Sequence, residues 1–227
     1  MYLSRLILNP HSRRVQREVM EPYEMHRSLM RAFPTQLERQ VERVLFRLDT
    51  RLKNGGLVLL VQSLNRPDWS WLAEPAASGY LLPLNEPNPA VKPFNPTFSP
   101  GQLLAFRLRA NPTVKRCHGD PANPDKEVNK RIGLYREEEQ LSWLRRKAAA
   151  GGFEVLQVRI RQEGLVRGAI HRDGGESHTL RLLAVTFDGL LRVTNVPRFV
   201  ETLQAGIGSG KGLGFGLLSL ARPVQQS

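Results

Sequence analysis

The sequence predicts an α+β protein made of two consecutive βαββαβ units, that is, two tandem ferredoxin-like domains. Three observations predict it. Short β-rich segments alternate with helical ones in the same order twice along the 227 residues. An apolar content of 41% with 24% charged residues belongs to a globular chain. The length accommodates two domains of about 100 residues each. No repeat of the sequence itself accompanies the repeated order of elements.

Residues 2–8 alternate and are β-rich, which predicts a strand ended by Asn9-Pro10. Residues 11–20, with Arg13, Arg14 and Arg17, read as a basic loop. Pro22 suits the first position of a helix, where its missing N–H costs nothing. That helix is expected to run to Phe33, because Pro34 then disfavours helical backbone before it. A further helical stretch is expected over 35–42, then strands over 43–49 and 57–64 joined by a turn at Asn54-Gly55-Gly56. Residues 65–100 hold 8 of the 16 prolines, which predicts a short helix over 68–72 and a long irregular connection. The strand over 102–110 completes the first unit, residues 1–112.

Residues 113–127 lack an apolar pattern and read as a linker to a second unit, residues 128–227. There the pattern predicts a strand over 130–135, a helix over 137–149 ended by Gly151-Gly152, and a strand over 153–162. Basic hairpin material follows at 163–178, then strands over 179–187 and 190–195 parted by a turn at Asp188-Gly189. A helix over 197–205 and a Gly-rich strand over 211–221 close the chain.

Charge supplies the first functional indication. The net charge is +12, from 33 basic and 21 acidic residues, and all but 7 of the basic residues are arginine. Arginine grips phosphate with two hydrogen bonds and stacks on bases. The excess is +6 in each half of the chain, which suits a polyanion lying across the whole molecule better than a basic tail. A generally basic surface without a specific partner is the competing reading. There is no apolar run long enough to span a membrane. The first eight residues are too short and too broken by Ser4 and Arg5 for a signal peptide, so a cytoplasmic protein is expected. The single Cys117 leaves neither an internal disulfide nor a thiolate zinc cluster to build.

Within the helix after Pro22, residues advance by about 100° each. Met25, Leu29, Ala32 and Phe33 then share one stripe, which predicts the core face. Tyr23 and His26 fall together on the opposite side, with Arg27 and Arg31 beside them. An exposed Tyr–His pair flanked by arginines suits phosphate chemistry, although surface helices also carry such residues without function. No metal-ligand spacing, carboxylate cluster or Gly-x-Ser-x-Gly elbow is present, so no metal and no cofactor is expected. Metal-free acid–base chemistry remains, and RNA is its natural substrate because the 2′-OH supplies the nucleophile. A second motif is the run Gly206 to Gly216, with glycine at every second position. It fits neither a Walker loop nor a dinucleotide fingerprint. Gly208, Ser209, Gly210 and Lys211 suit close approach of the backbone to a phosphate, whereas Gly212 to Gly216 are equally explained by tight packing on the last strand.

Four blocks, in this order, resemble one family: the first strand with Asn9-Pro10, Pro22-Tyr23-Glu24-Met25-His26-Arg27, Phe106-Arg107-Leu108-Arg109-Ala110-Asn111-Pro112, and Gly208 through Leu218. Together they are similar to the CasE family, the CRISPR RNA-processing endoribonucleases of type I-E systems. The resemblance covers nearly the whole chain. It implies tandem ferredoxin-like domains and metal-independent cleavage at the base of the CRISPR repeat RNA hairpin, leaving 2′,3′-cyclic phosphate and 5′-OH ends. It also implies a product that stays bound and assembly with other Cascade subunits. Tyr23 and His26 match the family's catalytic pair. Arg31 stands where the family often has lysine; it can hold a phosphate but is a poor proton donor. Arg27 and Arg31 are expected to stabilise the transition state. RNA is expected to meet Arg107, Arg109, Lys130, Arg131, Arg159, Arg161 and the Gly208–Lys211 stretch. A non-catalytic RNA-hairpin-binding subunit is the alternative, for which His26 would be superfluous.

Overall fold

A computed structural model describes residues 1–34, 43–49, 56–115, 131–171 and 177–223, with backbone alone for 167–171 and 177–180. The first strand, β1 (Tyr2–Leu8), leads into two helices, α1 (Arg13–Met20) and α2 (Pro22–Met30). Strands β2 (Leu45–Asp49), β3 (Leu57–Ser63) and β4 (Ala90–Pro93) complete an antiparallel sheet in the order β2-β3-β1-β4. This is the ferredoxin-like order. The second helix of the unit is reduced to 3-10 turns at Ser70–Ala73 and Pro75–Ala77. Side chains from α2 and the sheet, among them Met25, Leu29, Leu6, Leu8, Phe46 and Leu59, form its core.

The second sheet opens with β5 (Leu103–Ala110), continues through α3 (Glu137–Ala150), β8 (Phe153–His171), β9 (Ser177–Val193) and α4 (Val196–Ala205), and closes with β10 (Leu218–Ala221). Its order, β10-β5-β9-β8, repeats that of the first sheet. Trp143, Phe187, Phe199 and Leu203 are buried between its helices and strands. The short strands β6 (Thr113–Lys115) and β7 (Arg131–Gly133) pair with each other outside both sheets.

Several sequence expectations change. Residues 13–20 form a helix rather than a loop. Among its buried residues are Val15 and Glu18, so it lacks the apolar stripe that reveals a helix. The strand over 102–110 belongs to the second sheet and opens it, while Ala90–Pro93 closes the first. The first unit's sheet therefore ends before residue 103, and the second unit's begins ahead of the expected boundary at 128. Thr113–Lys115, expected in the linker, is a strand, and the strand near 130–135 joins it rather than the main sheet. Asp188-Gly189 is not a turn: β9 runs through it unbroken. Its partner strand carries a bulge between Val155 and Gln157, and a Cβ on Gly189 would collide with the Gln157 carbonyl oxygen. Glycine at 189 therefore serves a close strand approach, not a reversal. The Gly-rich stretch is a loop as far as residue 217, with one 3-10 turn at Lys211–Leu213, and only Leu218–Ala221 is strand. The helix expected over 35–42, the Asn54-Gly55 part of the turn, Lys130 and Cys117 lie outside the described residues.

Polar contacts fix α2 to the first unit. Glu18 of α1 is buried, and its carboxylate accepts from Arg14 Nε at 2.9 Å, Ser28 Oγ at 2.6 Å and Tyr80 Oη at 2.6 Å. Burial, and then the adjacent Glu18 charge, raise the Tyr80 phenol far above the ordinary tyrosine range, so it remains a donor. Ser28 lies on α2, two residues after His26, so this network sets the position of that helix. Glu18→Ala should lower stability by about 3 kcal/mol, because buried donors lose their shared acceptor. Chemical denaturation measures this, and an unchanged midpoint would show the network to be dispensable.

Candidate active site

The site forms where α2 of the first unit meets the loop between α4 and β10. Met25, Leu29, Ala32 and Phe33 are buried, as the helical period requires. The opposite side is also covered, unlike the sequence expectation, because the second unit packs on it. Tyr23 packs with Ala184, Leu213 and Phe215, and Val166 and Leu182 join this cluster. The His26 ring lies parallel to Phe46, 6.2 Å between centroids and 13° between planes. Its other neighbour is the loop: a Cβ on Gly212 would sit 3.5 Å from His26 Cδ2 and 3.6 Å from Nε2. Tyr23 and His26 are therefore half-buried and held against the Gly-rich loop.

The loop is folded back on itself and pinned to β5. Ile207 N donates to Gly216 O at 2.9 Å, Gly216 N to Arg109 O at 2.8 Å, and Ser209 bridges to Asn111. Gly208 and Gly210 have φ of 87° and 78°, in the left-handed region that favours glycine. A Cβ at Gly208 would also press on Trp143 at 3.1 Å. Lys211 follows, and burial, then Arg43 and Lys147, push its ammonium below the ordinary lysine range. Two further contacts tie the units together behind the site: Arg47 Nη1 donates to Ser219 Oγ at 2.8 Å, and Gln62 Nε2 to Leu203 O at 2.7 Å.

The expected phosphate-binding arginines separate into different settings. Arg27 is exposed and paired with Glu24 at 3.0 Å. Arg31 turns toward the 3-10 turns, where it pairs with Glu74 at 2.7 Å and lies 4.6 Å from the Trp71 ring centroid. Arg107 pairs with Asp188 at 2.5 Å, and Arg109 with Glu163 at 2.7 Å while stacking 4.6 Å over Phe215. Arg161 shares Glu163 at 3.3 Å. Burial pushes the Glu163 carboxyl up, but hydrogen bonds from Arg109 and Thr186 and both arginine charges outweigh it and leave it below the usual carboxylate range. Arg107, Arg109 and Arg161 line a cleft of about 680 Å³ beside α1 and α2, where carboxylates offset their charge. Arg159 is exposed on β8 opposite Asp188, and Arg131 is exposed on β7. Arg43, Phe46 and Lys147 surround the site without any sequence signal, since each arrives from a distant part of the chain, whereas Leu213 and Phe215 reach it within the Gly-rich run.

Among the described residues no group of three or more His, Cys, Asp or Glu is placed to hold a metal ion, and no helix is long and apolar enough to cross a membrane. The remaining inventory near the loop is an imidazole, a phenol and several cations, which can exchange protons with a hydroxyl and offset charge on a phosphate.

Comparison with known proteins agrees with that chemistry. The family model described as CRISPR associated protein matches residues 1–222. The CRISPR-associated endoribonuclease Cse3 of Thermus thermophilus is 40% identical over 97% of this chain and 100% of its own. The CRISPR system Cascade subunit CasE of Escherichia coli is 29% identical over 97% of this chain and 99% of its own. A solved structure of CRISPR endoribonuclease Cse3 bound to a 19-nt RNA superposes with a TM-score of 0.80, at 40% identity, covering 97% of this chain and 100% of that one. With its two ferredoxin-ordered sheets and a match of this length, the chain belongs to the CRISPR-associated protein family, among the CasE-type members of type I-E systems.

Proposed function

We propose that this protein is a metal-independent endoribonuclease that cuts precursor CRISPR RNA at the base of the repeat hairpin and stays with the product as a Cascade subunit, in the cytoplasm. The observation that carries the chemical part is the juxtaposition of His26 with the backbone of Gly212, next to Lys211. A phosphate lying along that loop meets an imidazole on one side and backbone N–H groups and an ammonium on the other. Tyr23, three residues before His26, reaches the same loop at Leu213 and Phe215.

In the reaction the 2′-oxygen attacks the adjacent phosphorus. The O2′–P bond forms, the P–O5′ bond breaks, and a 2′,3′-cyclic phosphate and a 5′-OH result. One group takes the 2′ proton and another protonates the departing O5′; His26 and Tyr23 are assigned to these transfers, in either order. Lys211, and Arg27 from the helix itself, supply positive charge for the phosphorane-like transition state. Arg31 is committed to Glu74 and Trp71, and we assign it to holding the end of α2. Arg107, Arg109 and Arg161 would have to exchange carboxylate partners for phosphate to bind RNA, whereas Arg131 and Arg159 are exposed for it.

The deciding experiment is incubation of the purified protein with its repeat RNA, with and without EDTA. Cleavage at equal rates, with a cyclic phosphate on the upstream fragment, is expected. Loss of cleavage on chelation and its return with magnesium would overturn the mechanism. Binding without any cleavage would favour the hairpin-binding subunit.

A further inference from the structure

Helix α2 is nine residues long, and a helix of that length does not hold its place unaided. His26 lies at its middle, and Ser28 is turned away from it by about 200° around the axis. Contacts from Ser28 and from Arg31, the residue that ends the helix, lead to the 3-10 turns that replace the second helix of the first unit. There Trp71, Glu74, Ala77 and Tyr80 follow one another at intervals of three. Glu74 N donates to Trp71 O at 3.2 Å, Ala77 N to Glu74 O at 2.9 Å and Tyr80 N to Ala77 O at 3.0 Å. Bonds of this span bring side chains three apart onto one side. Trp71 and Tyr80 are buried, with ring centroids 5.7 Å apart.

Two arginine–carboxylate pairs meet on the Trp71 ring. Arg14 Nε donates to Glu18, and its guanidinium lies 5.0 Å from the ring centroid. Its Nη2 reaches Ser28 Oγ of α2 at 2.8 Å. Arg31 donates to Glu74 and lies 4.6 Å from the same centroid. An indole face attracts a cation, and the two carboxylates offset the repulsion between the guanidinium groups. The backbone adds a further tie, since Asp68 N donates to Ala32 O at 2.8 Å just past the end of α2. Helix α2 is thus tied to this cluster through Ser28 and Arg31 and meets the Gly-rich loop through His26. A shift of the helix by about an ångström changes the gap at Gly212, and displacements of that size are costly to a group that must transfer a proton.

We propose that Trp71 and Glu74 are positioning residues for RNA cleavage. By holding Arg14 and Arg31 they set the distance from His26 to the Gly-rich loop, and so to the phosphate. Arg31 then acts through the helix rather than on the RNA. The inference rests on the ribonuclease reading above and adds to it the residues that keep the imidazole in place.

The test compares wild-type protein with Glu74→Ala, Trp71→Leu and Trp71→Phe. Single-turnover cleavage of the repeat hairpin is measured at saturating protein, well below the melting temperature of each variant. Kd is measured on the same hairpin with 2′-deoxyribose at the cut. Glu74→Ala should slow cleavage by about two- to fivefold, the effect of losing one exposed ion pair, with Kd and melting temperature unchanged. Trp71→Leu should slow it by about tenfold or more, because two cation–π contacts are lost, with Kd within about twofold. Trp71→Phe keeps an aromatic face for both guanidinium groups and should recover most of that loss. The sign of the Glu74→Ala effect is decisive. An arginine that served the phosphate directly would be released by this substitution, so faster cleavage or tighter binding would overturn the proposal. Unchanged rates in Glu74→Ala and Trp71→Leu would also overturn it, as would a parallel loss of rate and affinity or a Trp71→Phe variant as slow as Trp71→Leu. If Trp71→Leu does not fold, the rate and Kd of Glu74→Ala decide by the same criteria. A hairpin left uncut by wild type would refute the ribonuclease reading, whereas cleavage by wild type at the rate of every variant would refute the positioning role alone.

Discussion

Replacing the ribose before the scissile phosphate by 2′-deoxyribose should reduce cleavage to background while the RNA still binds. The reaction proposed for His26 and Tyr23 has no nucleophile other than that 2′-oxygen, so its removal leaves nothing for either group to activate. Affinity should change little, because one hydroxyl contributes only about 1 kcal/mol or less to binding. The deoxy RNA should therefore compete with the all-ribose substrate at nearly the affinity of that substrate. Single-turnover cleavage on denaturing gels, with a competition assay alongside, measures both quantities. Normal cleavage of the deoxy RNA would mean that water or a protein group attacks the phosphorus, and the acid–base assignment of both residues would fall.

His26→Ala should slow single-turnover cleavage by about 10²–10⁴-fold, the contribution of a positioned general acid or base. That corresponds to about 2.7–5.4 kcal/mol of activation free energy. Hairpin affinity should stay within about twofold, since the phosphate charge is met by guanidinium and ammonium groups rather than by imidazole. The ring also packs on Phe46 and Gly212, so the variant leaves a gap between α2 and the loop. His26→Gln keeps most of that volume without the proton transfer and should be as inactive as His26→Ala. Tyr23→Phe separates the functions similarly, because phenylalanine retains the packing on Leu213 and Phe215 while lacking the hydroxyl. A normal rate combined with collapsed binding in His26→Ala would recast His26 as a binding residue.

Local patterns in the chain carried much of the architecture. The stripe Met25, Leu29, Ala32 and Phe33 identified the buried face of α2, and the Gly151-Gly152 pair marked the end of α3. Both are properties of neighbours a few residues apart, where helical geometry and backbone chemistry act directly. The Tyr23–His26 pair was legible for the same reason, being one helical turn apart, and the resemblance to CasE proteins gave it a role.

Other features required partners from far along the chain. Helix α1 was hidden because its buried side carries Glu18, a residue that sequence patterns place in solvent; only Arg14, Ser28 and Tyr80 together make that burial tolerable. Strand β4 is four residues with a proline at its end, acceptable on an edge and invisible in a proline-rich stretch. Gly189 reads as a turn until the bulge opposite it is known. The arginines of β5 and β8 look like phosphate ligands until Asp188 and Glu163 are brought against them.

By itself, then, the sequence determined the order of most helices and strands, the positive charge, the core face of α2 and the Tyr23–His26 pair as a candidate for proton transfer, which follow from composition, short periodicity and motif. Only the tertiary structure decided which strands close which sheet, that the Tyr23–His26 face of α2 is covered by the Gly-rich loop, and that Arg107, Arg109 and Arg161 face carboxylates. The physical reason is that strand pairing and charge compensation are contacts between residues tens to hundreds of positions apart, set by the packing of the two units against each other, and no local pattern encodes the partner.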